Sequence, residues 1–265
     1  MLRFVILCLT LTSVLVNIQD VGAVDAGGAL DAVNNLAAVG AVTSPCQNGG
    51  AWSSTCPALP KPYLIDMNLS LRNFVVAAHN ARRNRLALGE LPGYGPARRM
   101  AFMRWDADLA SRAELNVKQC QRLRDNCHNT ARFRNSGQNI AYFAYNEAQT
   151  GVRTDQYLLR QAVSNWWIEY ENANMAVINS YPTNWAGSSI DRFAVMAQQQ
   201  QIAVGCAASR FVKNNLKHFL VTCNYAVDNV VGKPVYVNGP VGADCQTGMN
   251  INYPGLCKIT ENYNI

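Results

Sequence analysis

The chain has 265 residues, with 23 Lys and Arg against 17 Asp and Glu for a formal charge of +6. Its length is within reach of a single domain plus tails. No apolar run reaches the roughly 20 residues that cross a bilayer, and no nucleic-acid motif is present, so neither a membrane span nor nucleic-acid binding is expected.

The first 23 residues carry one basic residue, Arg3, an apolar run from Phe4 to Val16, and small residues at Val21 and Ala23. This reads as a cleaved secretion signal and places the mature chain outside the cell. Residues 24–44 are Ala, Gly, Val and Asn with almost no charge and no aromatic side chain, too little bulk to offset ordering entropy. Glycines at 49 and 50 and prolines at 57, 60 and 62 mark loop. Residues 24–62 are therefore expected to be a flexible leader and N-terminal cysteine loop, residues 63–238 the main domain, and residues 239–265 a C-terminal cysteine loop and tail. Asn68-Leu69-Ser70 is a glycosylation sequon just before the first predicted helix.

That helix should start near Ser70, which can cap it, and end before Gly89, with Leu71, Phe74, Val75 and Ala78 as its apolar stripe and His79 at the stripe's edge. A second should follow Trp105, capped by Asp106, with Leu109, Ala113 and Val117 at helical spacing. A third runs from about Asp155 to Tyr170 and buries Leu158, Leu159, Ala162, Val163, Trp166 and Trp167. Strands are predicted around 192–197, 202–208 and 216–225, the last two joined by a polar turn at Lys213-Asn214-Asn215. Helices outside a short antiparallel sheet make an α+β domain.

The hairpin puts Cys206 and Cys223 on adjacent strands, where a bond closing their loop would stabilise the fold by roughly 3 kcal/mol. Without Cys8 in the signal, eight cysteines remain, an even count that reads as four disulfides in a secreted chain. Cys245 and Cys257 close a local loop, while Cys46, Cys56, Cys120 and Cys127 pair either as 46–56 and 120–127 or across between the N-terminal segment and the 120s loop. No CxxC pair exists, which argues against zinc-finger chemistry.

Arginines cluster at 82, 83 and 85, at 98, 99 and 104, and at 122, 124, 132 and 134. Such patches attract sulfated glycans or anionic lipid, or simply form a solvated face. No GxSxG element and no free Cys/His dyad is present, which leaves only a serine with His79 for nucleophilic catalysis.

Several spaced motifs carry a resemblance: HNARRN (79–84), MRWDADLASRAELNVKQC (103–120), SGQNIA (136–141), WWIEY (166–170), and GC…HFLVTCNYA…N..G.PVY ending at Tyr236. In this order they resemble the CAP superfamily of cysteine-rich secretory, antigen 5 and pathogenesis-related proteins, over about residues 63–257, and insect antigen 5 proteins most. The resemblance implies a disulfide-stabilised three-layer α-β-α sandwich with a central antiparallel sheet, and favours the crossed cysteine pairing. It also implies a central cleft with two histidines and two acids, a cleft that binds zinc in some members. Matched one by one, the first histidine is His79, the first acid falls on Gln138, the second acid is Glu169, and the second histidine falls on Arg192.

Neither an amide nor a guanidinium replaces a zinc ligand, so no metal or cofactor is expected and a Glu169–Arg192 ion pair is the natural substitute. The cleft is then either retuned for an anionic ligand or held shut by that pair. The function implied is a secreted, non-enzymatic binding or signalling protein of antigen 5 type with an extracellular protein or receptor as partner. The alternatives are a carrier of sterol, fatty acid or eicosanoid between the helix faces bearing Phe74 and Leu158, and, less favoured, a protease. No RGD tripeptide offers an integrin handle.

Overall fold

The computed structural model describes residues 49–265; the signal segment 1–23, the leader 24–44 and Cys46 lie outside the described residues. Five strands, β1 (Tyr63–Leu64), β2 (Arg104–Trp105), β3 (Gly137–Tyr145), β4 (Ala203–Lys213) and β5 (Leu216–Tyr225), form one sheet in the order β1-β4-β5-β3, with β2 also on β4. The long pairs are antiparallel, while the short β2 runs parallel to β4. Five helices accompany it: α1 (Leu69–Ala87), α2 (Ala107–Val117), α3 (Asp155–Trp167), α4 (Met175–Asn179) and α5 (Asp191–Ala197).

Alternation along the strands creates three layers. On one face Val204, Cys206 and Ala208 of β4 and Phe219, Val221, Cys223 and Tyr225 of β5 join a core with α1, α3 and α5. On the other, Ala207, Phe211, Leu220 and Ile140 pack against Ala113 and Val117 of α2. Helix α2 sits so close that a Cβ at Gly205 would run into the backbone of Asp106, Leu109 and Ala110. Polar side chains of the sheet bond to it directly: Ser209 Oγ donates to the Val117 carbonyl (3.0 Å) and Asn224 Nδ2 to that of Leu109 (3.1 Å).

The hairpin has the expected form. Lys213 pairs with Leu216 across a two-residue turn whose Asn214 and Asn215 take φ of 52° and 59°, the left-handed pair that matches the twist of the flanking strands. Cys206 and Cys223 stand directly opposite, Cα atoms 4.1 Å apart, and are bonded. Asp106 caps α2 by accepting from Leu109 N at 2.9 Å, and all six apolar residues assigned to the face of α3 are buried.

Four expectations need correction. Helix α1 is capped by Asn68, not Ser70: Asn68 Oδ1 accepts from Leu71 N at 3.1 Å. Its most buried face is Val75, His79, Asn80, Arg83, Leu86 and Ala87, while Leu71, Phe74 and Ala78 pack only at the margin. Helix α3 gives way at Ile168 to a 3-10 segment through Asn172. The segment predicted as a strand at 192–197 is helix α5, and strand β3, which no apolar alternation announced, is the sheet's far edge.

Cys56 bonds to Cys120 and Cys245 to Cys257, and Cys127 is also disulfide-bonded, its partner lying outside the described residues. The crossed pattern thus holds for Cys56 and ties the N-terminal loop to the end of α2. Non-reducing peptide mapping is expected to recover the 56–120 link; recovery of 46–56 or 120–127 would contradict this topology.

Candidate functional site

At the centre of the core face, α1 delivers His79, fully buried. Its Nδ1 lies 2.8 Å from the Val75 carbonyl, which can only accept, so Nδ1 carries the proton. Its Nε2, 3.0 Å from the Tyr225 hydroxyl, is then the acceptor of that O–H. Asn139 Nδ2 donates to the same hydroxyl oxygen (3.2 Å) and to the Arg192 carbonyl (3.0 Å). A continuous chain therefore runs from α1 through β5 and β3 to the start of α5, and both ring nitrogens of His79 are consumed within it.

Burial drives the His79 pKa down to about 4, with Arg82 and Arg83 adding repulsion against the bond to Val75, so the ring is neutral at physiological pH. Because the unfolded chain takes up this proton near 6.5 and the folded one only near 4, stability is full above 6.5 and falls as pH drops between those values, by on the order of 3 kcal/mol. Urea denaturation against pH is expected to show that loss in the native protein, and an NMR titration no change in the His79 ring above pH 5. Titration of this ring near 6.5 in the folded protein would overturn the assignment.

Glu169, 5% exposed, faces the N-terminus of α5. Its Oε2 accepts from the backbone N–H of Arg192 (2.8 Å) and Phe193 (3.2 Å), and its Oε1 from the Arg192 guanidinium (2.5 Å). The ion pair read from the sequence is present, and it caps a helix as well.

The structure does not bring Gln138 to this group. Successive residues of a strand face opposite sides, and it is Asn139 that meets Tyr225 and Arg192 while Gln138 turns toward α2. There Gln138 Nε2 donates to Asn224 Oδ1 (3.0 Å) and to Asp125 Oδ2 (3.3 Å), and its Oε1 accepts from Asp125 N (3.3 Å), which fastens the 120s loop to the sheet. Asn116 joins this cluster, donating to Asp125 and accepting from Thr222 Oγ1 at 2.6 Å. Sequence reasoning missed Asn139, Tyr225 and Asn116; the alternation of β5 could have placed Tyr225 on the face of Cys223, whereas nothing within β3 announced the facing of Asn139.

A metal does not fit this centre. Among the described residues no group of three or more His, Cys, Asp or Glu side chains is placed to hold an ion. The one free lone pair of His79 is taken by Tyr225, and Glu169 carries a guanidinium. Calorimetric titration with zinc is expected to show no micromolar binding. Gln138→Glu with Arg192→His is expected not to create it, because the new carboxylate would lie against Asp125 on the side of the sheet away from His79; binding lost on His79→Ala would contradict this.

Beside the centre, with Arg192 in common, Arg122, Arg124, Ile140, Ser189, Asp191 and Arg192 line a cleft of about 180 Å³. The arginine cluster at 82, 83 and 85 is not a surface patch, since Arg83 is fully buried. In the faces considered for lipid, Leu158 is fully buried and Phe74 lies under the Arg160 guanidinium at 5.2 Å.

The disulfide-stitched sandwich of helices on both faces of an antiparallel sheet is the architecture of a CAP-type domain. The chain belongs to the cysteine-rich secretory protein (CAP) family, whose profile matches residues 76–225. It is 30% identical to "Venom allergen-1" of Aedes aegypti over 218 residues, 82% of each chain. It is 38% identical to "Antigen 5 like allergen Cul n 1" of Culicoides nubeculosus over 169 residues, 64% of this chain and 74% of that one. In fold it is similar to the solved structure "Crystal structure of NaASP2 with Zn2+", with a TM-score of 0.59 at 21% identity, covering 77% of this chain and all of the other.

Proposed function

We propose that this chain is a secreted, non-enzymatic CAP protein of antigen 5 type that acts by binding an extracellular partner. The observation that carries this reading is the complete internal use of His79. A general base needs an accessible lone pair, and the only one on this ring accepts from Tyr225 inside the core. The described cysteines are all disulfide-bonded, which supplies no thiol nucleophile and suits an oxidising compartment. Likeness to a venom allergen and an antigen 5 like allergen supports the same class. Residues 1–23 act as the cleaved signal, and Asn68 takes a glycan: it is exposed, and its cap uses Oδ1, leaving Nδ2 unengaged.

Expression in insect cells tests this. The protein should appear in the medium beginning at Val24, carry a glycan that Asn68→Gln removes, and leave casein and ester substrates intact. Turnover that disappears in a folded His79→Gln variant would show an enzyme instead.

A further inference from the structure

Away from the His79 centre, β2, the 130s loop and the C-terminal tail enclose a second cleft of about 180 Å³, with Arg104, Arg132, Lys258, Glu261 and Tyr263 in its wall. The three cations form no ion pair among the described residues; the nearest relation is Arg132 lying over the ring of its neighbour Phe133, 4.8 Å from its centre. The one carboxylate in the wall is already spent. Glu261 accepts from Gln246 N (2.9 Å), Thr247 N (2.8 Å), Thr247 Oγ1 (2.7 Å) and Arg99 Nε (2.9 Å), bonds that outweigh burial and hold it down to about 2. Arg99 neutralises it, which leaves three positive charges uncompensated around one small polar recess.

Tyr263 completes the wall. Its ring lies under the Arg99 guanidinium at 4.6 Å, and its hydroxyl is buried with no hydrogen-bond partner among the described residues. That hydroxyl is closed to solvent and the charges acting on it are those of Arg99, Arg83 and Glu261, so Tyr263 braces the wall through Arg99 and offers no donor to the recess. We propose that this cleft binds a tetrahedral oxoanion, the sulfate or phosphate group of an extracellular ligand, held by Arg104, Arg132 and Lys258. Arginine forks and a lysine ammonium suit such a group, and the recess has room for one of them. The site is separate from the His79 centre, so its failure leaves the proposed function standing.

Calorimetric titrations of the full secreted protein with inorganic phosphate and with a heparin-derived tetrasaccharide test it. At least one probe should bind with one-to-one stoichiometry: both if any oxoanion suffices, the tetrasaccharide alone if the source is glycan sulfate. Arg104→Gln with Lys258→Gln should weaken binding by about tenfold or more, while Tyr263→Phe, which keeps the ring under Arg99, should leave it unchanged within error. Arg122→Gln with Arg124→Gln removes equal charge elsewhere and should leave affinity unchanged within error. Binding of neither probe, or equal weakening by the control pair, or binding unaffected by the Arg104→Gln with Lys258→Gln change, would overturn the proposal.

Discussion

Arg83→Ala is expected to destabilise the protein by about 4 kcal/mol or more, the largest effect of any single substitution proposed for this chain. Arg83 is fully buried, and its guanidinium donates to the carbonyls of Met196 (2.6 Å), Gln198 (2.8 Å) and Ala101 (2.9 Å). Two of these acceptors belong to the last turn of α5 and the residue after it, where carbonyls have no partner within the helix. Burial lowers the Arg83 pKa to about 9, partly offset by Tyr263 and Tyr225, so the group stays charged at neutral pH. A cation at this end also complements the helix dipole. Alanine removes three donors at once and opens a cavity in α1. Arg83→Lys should recover only part of the loss, because one ammonium cannot reproduce the planar fork. Chemical denaturation is the measurement, and an alanine variant within about 1 kcal/mol of the parent would show that the three carbonyls find other donors.

At the opposite end of α5, Glu169→Ala is expected to cost about 3–5 kcal/mol, since it leaves Arg192 without its counterion and the first N–H groups of the helix without their acceptor. The arginine side chain is 28% exposed and can turn to solvent, which places the expectation at the lower end of that range. Glu169→Gln keeps the cap and loses only the charge, so it should cost less than half as much. A double-mutant cycle of Glu169→Gln with Arg192→Gln separates the two contributions: a coupling near zero would mean that the carboxylate acts as a cap alone.

These two residues explain why α5 is a helix. The run Phe193-Ala194-Val195-Met196-Ala197 is wholly buried, and a short continuous apolar run reads equally well as a core strand. Nothing within it chooses. Glu169 from the end of α3 and Arg83 from α1 supply partners for the two ends of a helix, and both lie far from it along the chain.

What the sequence by itself determined rests on local chemistry: the periodic apolar faces of α2 and α3, the Asp106 cap, the Asn214-Asn215 turn, and through that turn the opposition of Cys206 and Cys223. Spaced motifs identified the family and placed His79 and Glu169 in its centre. Tertiary structure decided which face each residue of β3 presents, and so put Asn139 rather than Gln138 beside Tyr225, because a strand's facing depends on register with β5 and a shift of one residue inverts it. It likewise decided that Cys56 bonds to Cys120, and that His79 is spent on a hydroxyl from the far end of β5. Each of these is a contact between segments distant in sequence, and only the packed sandwich brings them within bonding distance.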